Sequence, residues 1–108
     1  MTVNTDLKDS VMTVTIDGEI NTITAPELAK AVEDLSGVSK LCFDLDRVPY
    51  VSSAGLRIFL SCQRTMTANG GSMRIIHIDE LLAEIFESVG YNRIMKLELK
   101  GQTGEVDA

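Results

Sequence analysis

Leu41-Cys42-Phe43-Asp44-Leu45 is a nearly unbroken apolar run, and such a run suits a strand covered on both faces within a parallel sheet. Parallel neighbours need crossover connections, and the flanking segments have the periodicity to supply them. Upstream, Met12, Val14 and Ile16 share one face and Thr13 and Thr15 the other, the period-two pattern of a half-buried strand. A weaker strand around Val3 to Leu7 precedes it. The short polar connection Lys8-Asp9-Ser10 predicts an antiparallel hairpin, and Asp17-Gly18 ends its second strand.

Three helical patterns alternate with the remaining strands. Thr24-Ala25-Pro26-Glu27 predicts a capping box, in which the threonine oxygen accepts from the Glu27 amide and Glu27 reaches back. Leu28, Val32 and Leu35 continue it for about three turns, with Gly37 closing the end. The second pattern opens at Ser52-Ser53-Ala54-Gly55-Leu56, after a loop that Pro49 keeps from being helical, and runs over residues 54–68. Ile58, Phe59, Cys62 and Met66 share one side, Arg57, Ser61 and Arg64 the other, and Asn69-Gly70-Gly71 stops it. Met73 to Ile78 reads as another strand. Asp79 then caps a helix striped by Leu82, Ile85, Phe86 and Val89 and closed by Gly90. Ile94 to Leu99 alternates as a last strand with one polar face, and Lys100 to Ala108 reads as a flexible tail. The order β-β-α-β-α-β-α-β defines the α/β class: one domain over residues 1–99, its sheet mostly parallel with an N-terminal antiparallel hairpin.

Composition narrows the function. The 108 residues carry 16 acidic and 10 basic side chains, a formal charge of −6, which disfavours direct nucleic-acid binding because that affinity comes from clustered Lys and Arg. No apolar run approaches the roughly 18 residues that would insert in a membrane, and MTVNTDLKD lacks the basic flank and apolar segment of a signal peptide, so the expected location is cytoplasmic. Cys42 and Cys62 form no CxxC and lie in apolar runs, as core thiols do. Neither a glycine-rich phosphate loop nor a GxSxG elbow is present, and His77 is the one histidine. The chain is therefore expected to be no enzyme and to need no cofactor. Asp44 and Asp46 read as strand-end solvation rather than a metal pair, and His77 as a strand-end structural residue.

In an open α/β sheet, functional groups gather beyond the carboxyl ends of the strands, which directs attention to Asp17 to Asn21, Asp44 to Ser53 and His77 to Asp79. Ser52 and Ser53 stand where a long helix begins. Either serine serves as its cap, and a hydroxyl there is also suited to carry phosphate, because the first-turn amides are already aimed at an anion. Leu56, beside the serines, is expected to remain partly exposed for a partner.

Gly18-Glu19-Ile20-Asn21, Ala25-Pro26-Glu27-Leu28 and Val51-Ser52-Ser53-Ala54-Gly55-Leu56 together resemble the STAS domain, specifically the bacterial anti-sigma factor antagonists, over about residues 3 to 99. The resemblance implies a partner switch. The unmodified antagonist binds an anti-sigma factor that is also a serine kinase and frees a sigma factor; phosphorylation then releases the antagonist, and a serine phosphatase resets it. The family spacing, two residues before the glycine of Gly-Leu, selects Ser53 as acceptor, and Ser52 stands where the family commonly has aspartate, as Asn21 also does. The implied contact surface comprises Asn21, Asp46, Ser52, Ser53, Gly55, Leu56 and Arg57. An antagonist of this kind is expected to be a monomer or weak dimer. A STAS scaffold, a transporter-accessory subunit, and a receiver-like domain phosphorylated on Asp44 are the alternatives, the last disfavoured by the opening hairpin.

Overall fold

The computed structural model describes residues 1–101. Its elements are β1 (Thr2–Lys8), β2 (Val11–Asp17), α1 (Ala25–Ala31), β3 (Lys40–Arg47), α2 (Ser53–Ala68), β4 (Ser72–Ile78), α3 (Glu80–Ser88), a short 3₁₀ turn (Tyr91–Arg93) and β5 (Lys96–Leu99). The five strands form one sheet in the order β1-β2-β3-β4-β5, antiparallel between β1 and β2 and parallel elsewhere. This is the α/β architecture expected. The hairpin turns through Asp9 and Ser10 at φ 51° and 64°, the two left-handed residues that a two-residue turn needs to match strand twist.

Strand order that follows chain order has a consequence for burial. Every right-handed crossover advances across the sheet in one direction, so all three connecting helices fall on the same side. The expectation that β3 is covered on both faces is thereby corrected. Met12, Val14, Leu41, Phe43, Met73 and Ile75 point into one core with the helices. Cys42 and Ile76 point the other way, at 6% and 8% exposure, and lie outside that core. They floor a shallow depression of about 570 Å³ on the helix-free face, rimmed by Val11, Thr13, Lys40, Arg74 and Lys96. A strand can thus read as fully apolar while the one apolar side chain on its second face, Cys42 in β3, is shielded only by neighbouring side chains.

The core is organised by aromatic contacts running through the layers. Phe43 of β3 meets Phe59 of α2 edge-on at 4.9 Å between ring centroids, Phe59 meets Phe86 of α3 at 5.8 Å, and Phe86 stacks on Tyr91 at 6.2 Å.

Several helix ends behave as the sequence predicts. The Asp79 carboxylate accepts from the Leu82 amide at 2.9 Å, and Gly90 closes α3 at φ 79°. At the end of α2, Gly70 takes φ 76°, with Gly71 N–H donating to the Met66 carbonyl and Gly70 N–H to that of Thr67. These are the paired bonds of a Schellman closure.

Others differ. α1 has seven residues, about two turns rather than three. The Asp34 carboxylate accepts from the Ser36 amide at 3.0 Å, a local turn that competes with helix, and Gly37 at φ 75° serves the following turn, closed by Val38 N–H to the Leu35 carbonyl. Leu35 still reaches the core, and Val89, expected on the α3 stripe, is 49% exposed because the helix ends at Ser88. Of the expected tail, residues 102–108 lie outside the described residues. Lys100, at its start, donates its amide to the Ile78 carbonyl at 2.9 Å.

Cys62, on the buried side of α2, has its thiol pushed up by burial to about 11 from an ordinary 9.0. Between those values the native state holds a proton that the unfolded chain has released, so stability falls as pH rises through that interval. We expect about 2 kcal/mol to be lost between about pH 9 and pH 11 through this group. Urea midpoints of the wild type and Cys62→Ala, each followed over that range, check it; parallel pH profiles would contradict it.

Candidate functional site

The site is assembled by two segments outside the regular strands. Ile20 and Val51 form an isolated parallel bridge, with Ile20 N–H donating to the Tyr50 carbonyl at 3.0 Å and Ser52 N–H to the Ile20 carbonyl at 2.8 Å. Both side chains are fully buried, at 0% and 1% exposure. The bridge extends the β2–β3 pairing beyond the carboxyl ends of the strands, bringing the Glu19–Thr24 turn beside the first turn of α2.

Gly55 sets how close α2 comes. A Cβ at this position would stand 2.6 Å from Ile20 Cγ2 and 2.9 Å from Val51 Cγ1, closer than carbon atoms approach. With any side chain at Gly55, either the helix or the bridge must shift. Leu56 is 8% exposed and packs in the core, which corrects the expectation of a partly exposed partner contact. Its carbonyl accepts from the Tyr91 hydroxyl at 2.8 Å, tying the start of α2 to the turn after α3. Burial pushes the Tyr91 hydroxyl up, while Arg64 and then Arg57 act in the opposite direction.

The two serines divide their roles. Ser52 is the N-cap, in extended conformation, with its Oγ accepting from the Gly55 amide at 3.4 Å. Ser53 is the first helical residue and is exposed. Its hydroxyl makes no hydrogen bond among the described residues. Arg57, one turn on, is exposed as well.

Asn21 shares this neighbourhood as a turn former. Its Oδ1 accepts from the amides of Ile23 at 2.9 Å and Thr24 at 3.0 Å, and its carbonyl accepts from Ala25 N–H at 2.8 Å. The capping box expected at Thr24 does not form. Thr24 has helical φ and ψ, and its Oγ1 instead accepts from the Asn21 amide at 2.8 Å and donates to the Glu19 carbonyl at 2.9 Å. Asn21 supplies the local alternative one turn earlier.

Asp46 is held away from the serines. It follows Leu45 in β3 and so faces the helix-free side, where Lys100 Nζ reaches its carbonyl at 2.9 Å and its Oδ1 at 3.6 Å. Asp44, on the same side, accepts from the Asp46 amide at 3.1 Å, and its Oδ1 lies 2.9 Å from His77 Nδ1. His77 adopts φ 60° where the β4–β5 register shifts between Ile75 and Ile78. It is the strand-end structural residue expected.

Two exposed apolar side chains went unnoticed in the sequence reading. Ile23 is 86% exposed and Tyr50 44%, each within three residues of the Ile20–Val51 bridge. A large aliphatic residue inside the polar turn Asn21-Thr22-Ile23-Thr24 was the available signal.

A five-stranded sheet with helices on one face, and a serine pair opening the helix that crosses from β3 to β4, is the design of a STAS domain. The model of that family, described as STAS domain, matches residues 2–104, and the chain belongs to it. The anti-sigma-B factor antagonist of Bacillus subtilis (strain 168) is 28% identical over 109 residues, spanning 96% of this chain and 98% of its own. Among solved structures, an anti-sigma factor antagonist from Mycobacterium paratuberculosis superposes with a TM-score of 0.81 at 22% identity, covering 98% of this chain and 92% of its own. The Bacillus cell fate determinant SpoIIAA in its phosphorylated form gives 0.73 at 12% identity, covering 99% of this chain and all of its own. At these identities the structural likenesses establish the fold.

The division between the serines predicts unequal costs. Ser52→Ala should lose about 0.5–1 kcal/mol with its cap, whereas Ser53→Ala should stay within about 0.5 kcal/mol of wild type. Urea denaturation of the two variants measures both, and equal losses would contradict the assignment. Gly55→Ala gains about 1 kcal/mol of helix propensity but overpacks against two fully buried branched side chains, which costs about 1–3 kcal/mol. The expected balance, read from thermal unfolding, is a net loss; a raised melting temperature would show that the bridge yields.

Proposed function

We propose that this protein is an anti-sigma factor antagonist: with Ser53 bare it binds an anti-sigma factor that has serine kinase activity, freeing a sigma factor, and phosphorylation of Ser53 releases it. The observation that carries the reading is the unengaged Ser53 hydroxyl beside a neighbour that already caps the helix. A kinase can take such a hydroxyl without dismantling a cap. The likeness to relatives named as anti-sigma-B factor antagonists supports the role.

In the step itself, Ser53 Oγ attacks the γ-phosphorus of ATP held by the kinase. The bond to the β-phosphate oxygen breaks, ADP departs, and the hydroxyl proton passes to a base of the kinase. A serine phosphatase reverses the modification by hydrolysis, returning the hydroxyl and inorganic phosphate. A cytoplasmic location belongs to this reading, since the proposed kinase draws on ATP.

The switch needs little movement in the antagonist. A neutral hydroxyl is buried in an interface at the cost of one hydrogen bond, whereas phosphoserine brings about −1.5 to −2 charges and a tightly held hydration shell. A loss of about 3 kcal/mol, roughly a hundredfold in affinity, suffices for release. Ile23 and Tyr50 serve as the apolar contacts of the docking face, with Ser53 and Arg57 as its polar ones. Gly55 and Leu56 support that face from beneath. Asn21 and Ser52 shape it through the turn and the cap they form.

Incubation with the cognate anti-sigma kinase and ATP, followed by phosphate mapping by mass spectrometry, tests the reading. Label is expected on Ser53; label on Ser52 alone, or none, would sink it. Ser53→Ala should bind the kinase persistently and resist modification, and Ser53→Asp should bind more weakly than wild type.

A further inference from the structure

Resting on the reading of Ser53 as phosphoacceptor, we propose that Arg57 is the group that captures the phosphate, so that modification withdraws from the partner a cation the bare protein presents. Ser53, Arg57, Ser61 and Arg64 are all exposed, and their spacing sets them along one outward stripe of α2, opposite the buried Gly55, Phe59, Cys62 and Met66. Residues four apart on a helix have Cβ atoms about 5–6 Å from each other, within reach of a guanidinium and a phosphate. The order is the favourable one, with the anion N-terminal to the cation and nearer the positive end of the helix dipole.

Among the described residues no carboxylate competes for this guanidinium. Arg57 and Arg64 make no ion pair among the described residues, whose salt bridges join Arg47 to Asp17, Arg74 to Glu98, His77 to Asp44 and Lys100 to Asp46. The α2 sequence SAGLRIFLSCQRTMTA contains no carboxylate, in a protein of net charge −6. A phosphate at Ser53 therefore meets a free planar donor able to hold two of its oxygens at once. Bare, the stripe carries two positive charges; with about two negative charges added at Ser53 it carries close to none. Release then follows from the loss of a cation as well as from the arrival of an anion.

Arg64 provides an internal control. It lies on the same stripe but eleven residues from Ser53, about 16 Å along the helix axis, too far to touch the phosphate and near enough to share the general field.

Phosphoserine installed at position 53 by genetic-code expansion, with no kinase involved, lets ³¹P NMR follow the second ionisation of the phosphate in wild type, Arg57→Gln, Arg57→Lys and Arg64→Gln. Contact with Arg57 favours the dianion, so the wild-type midpoint should lie below the ordinary value of about 6. Arg57→Gln should raise it by about half a unit, Arg57→Lys should fall between, and Arg64→Gln should match wild type. Indistinguishable titrations of wild type and Arg57→Gln would overturn the proposal, as would an equal shift in Arg64→Gln, which would mean a diffuse field rather than a contact. A kinase that fails to modify Ser53 counts against the functional reading alone, since this titration does not depend on it.

Discussion

The contact between Gly55 and the Ile20–Val51 bridge holds the site together. Two fully buried branched residues form the bridge, and the missing Cβ of Gly55 lets the first turn of α2 rest directly on them. Because both partners of that contact lie beyond the ends of β2 and β3, it converts two loops into a fixed platform. The Asn21 turn, the Ser52 cap, the Ser53 hydroxyl and Arg57 all take their positions from it. Tyr91 braces the same turn from the other side through its bond to the Leu56 carbonyl.

The placement of charge follows from the same arrangement. A helix whose cap is a neutral serine and whose only charged side chains are arginines leaves a positive stripe on an acidic protein. An aspartate at Ser52 would set a negative charge beside the acceptor hydroxyl; serine keeps the capping function without it. Ionic pairing elsewhere is concentrated on the helix-free face, where Asp44, Asp46, Arg74 and Lys100 find partners within the chain.

The fold was legible wherever the interaction was local. The Asp79 cap, the Gly70 and Gly90 closures and the hairpin each need only residues a few positions apart, and each formed as the sequence implied. The capping box failed for an equally local reason that pattern alone cannot rank: Asn21 offered the backbone a competing turn, and its amide took the Thr24 hydroxyl. The first helix fell short because Asp34 turned the chain before Leu35, while the apolar period continued regardless. Burial of Leu56 was misread because its position on the helix borders both faces, and only the packing of α2 against the core settles which one it joins.

Periodicity, capping chemistry and the serine segment by themselves determined the class of fold, the order of its elements and the neighbourhood of the acceptor, because these depend on dihedral preferences and on side chains close in sequence. Which of two adjacent serines caps and which stays free, that Asp46 is drawn to Lys100 on the far side of the sheet, and that the central strand has one face without helices were decided only by tertiary structure. The Asp46–Lys100 contact joins residues 54 positions apart, and the start of α2 is fixed by the Ile20–Val51 bridge, whose partners are also distant in sequence; such meetings leave no period in the chain.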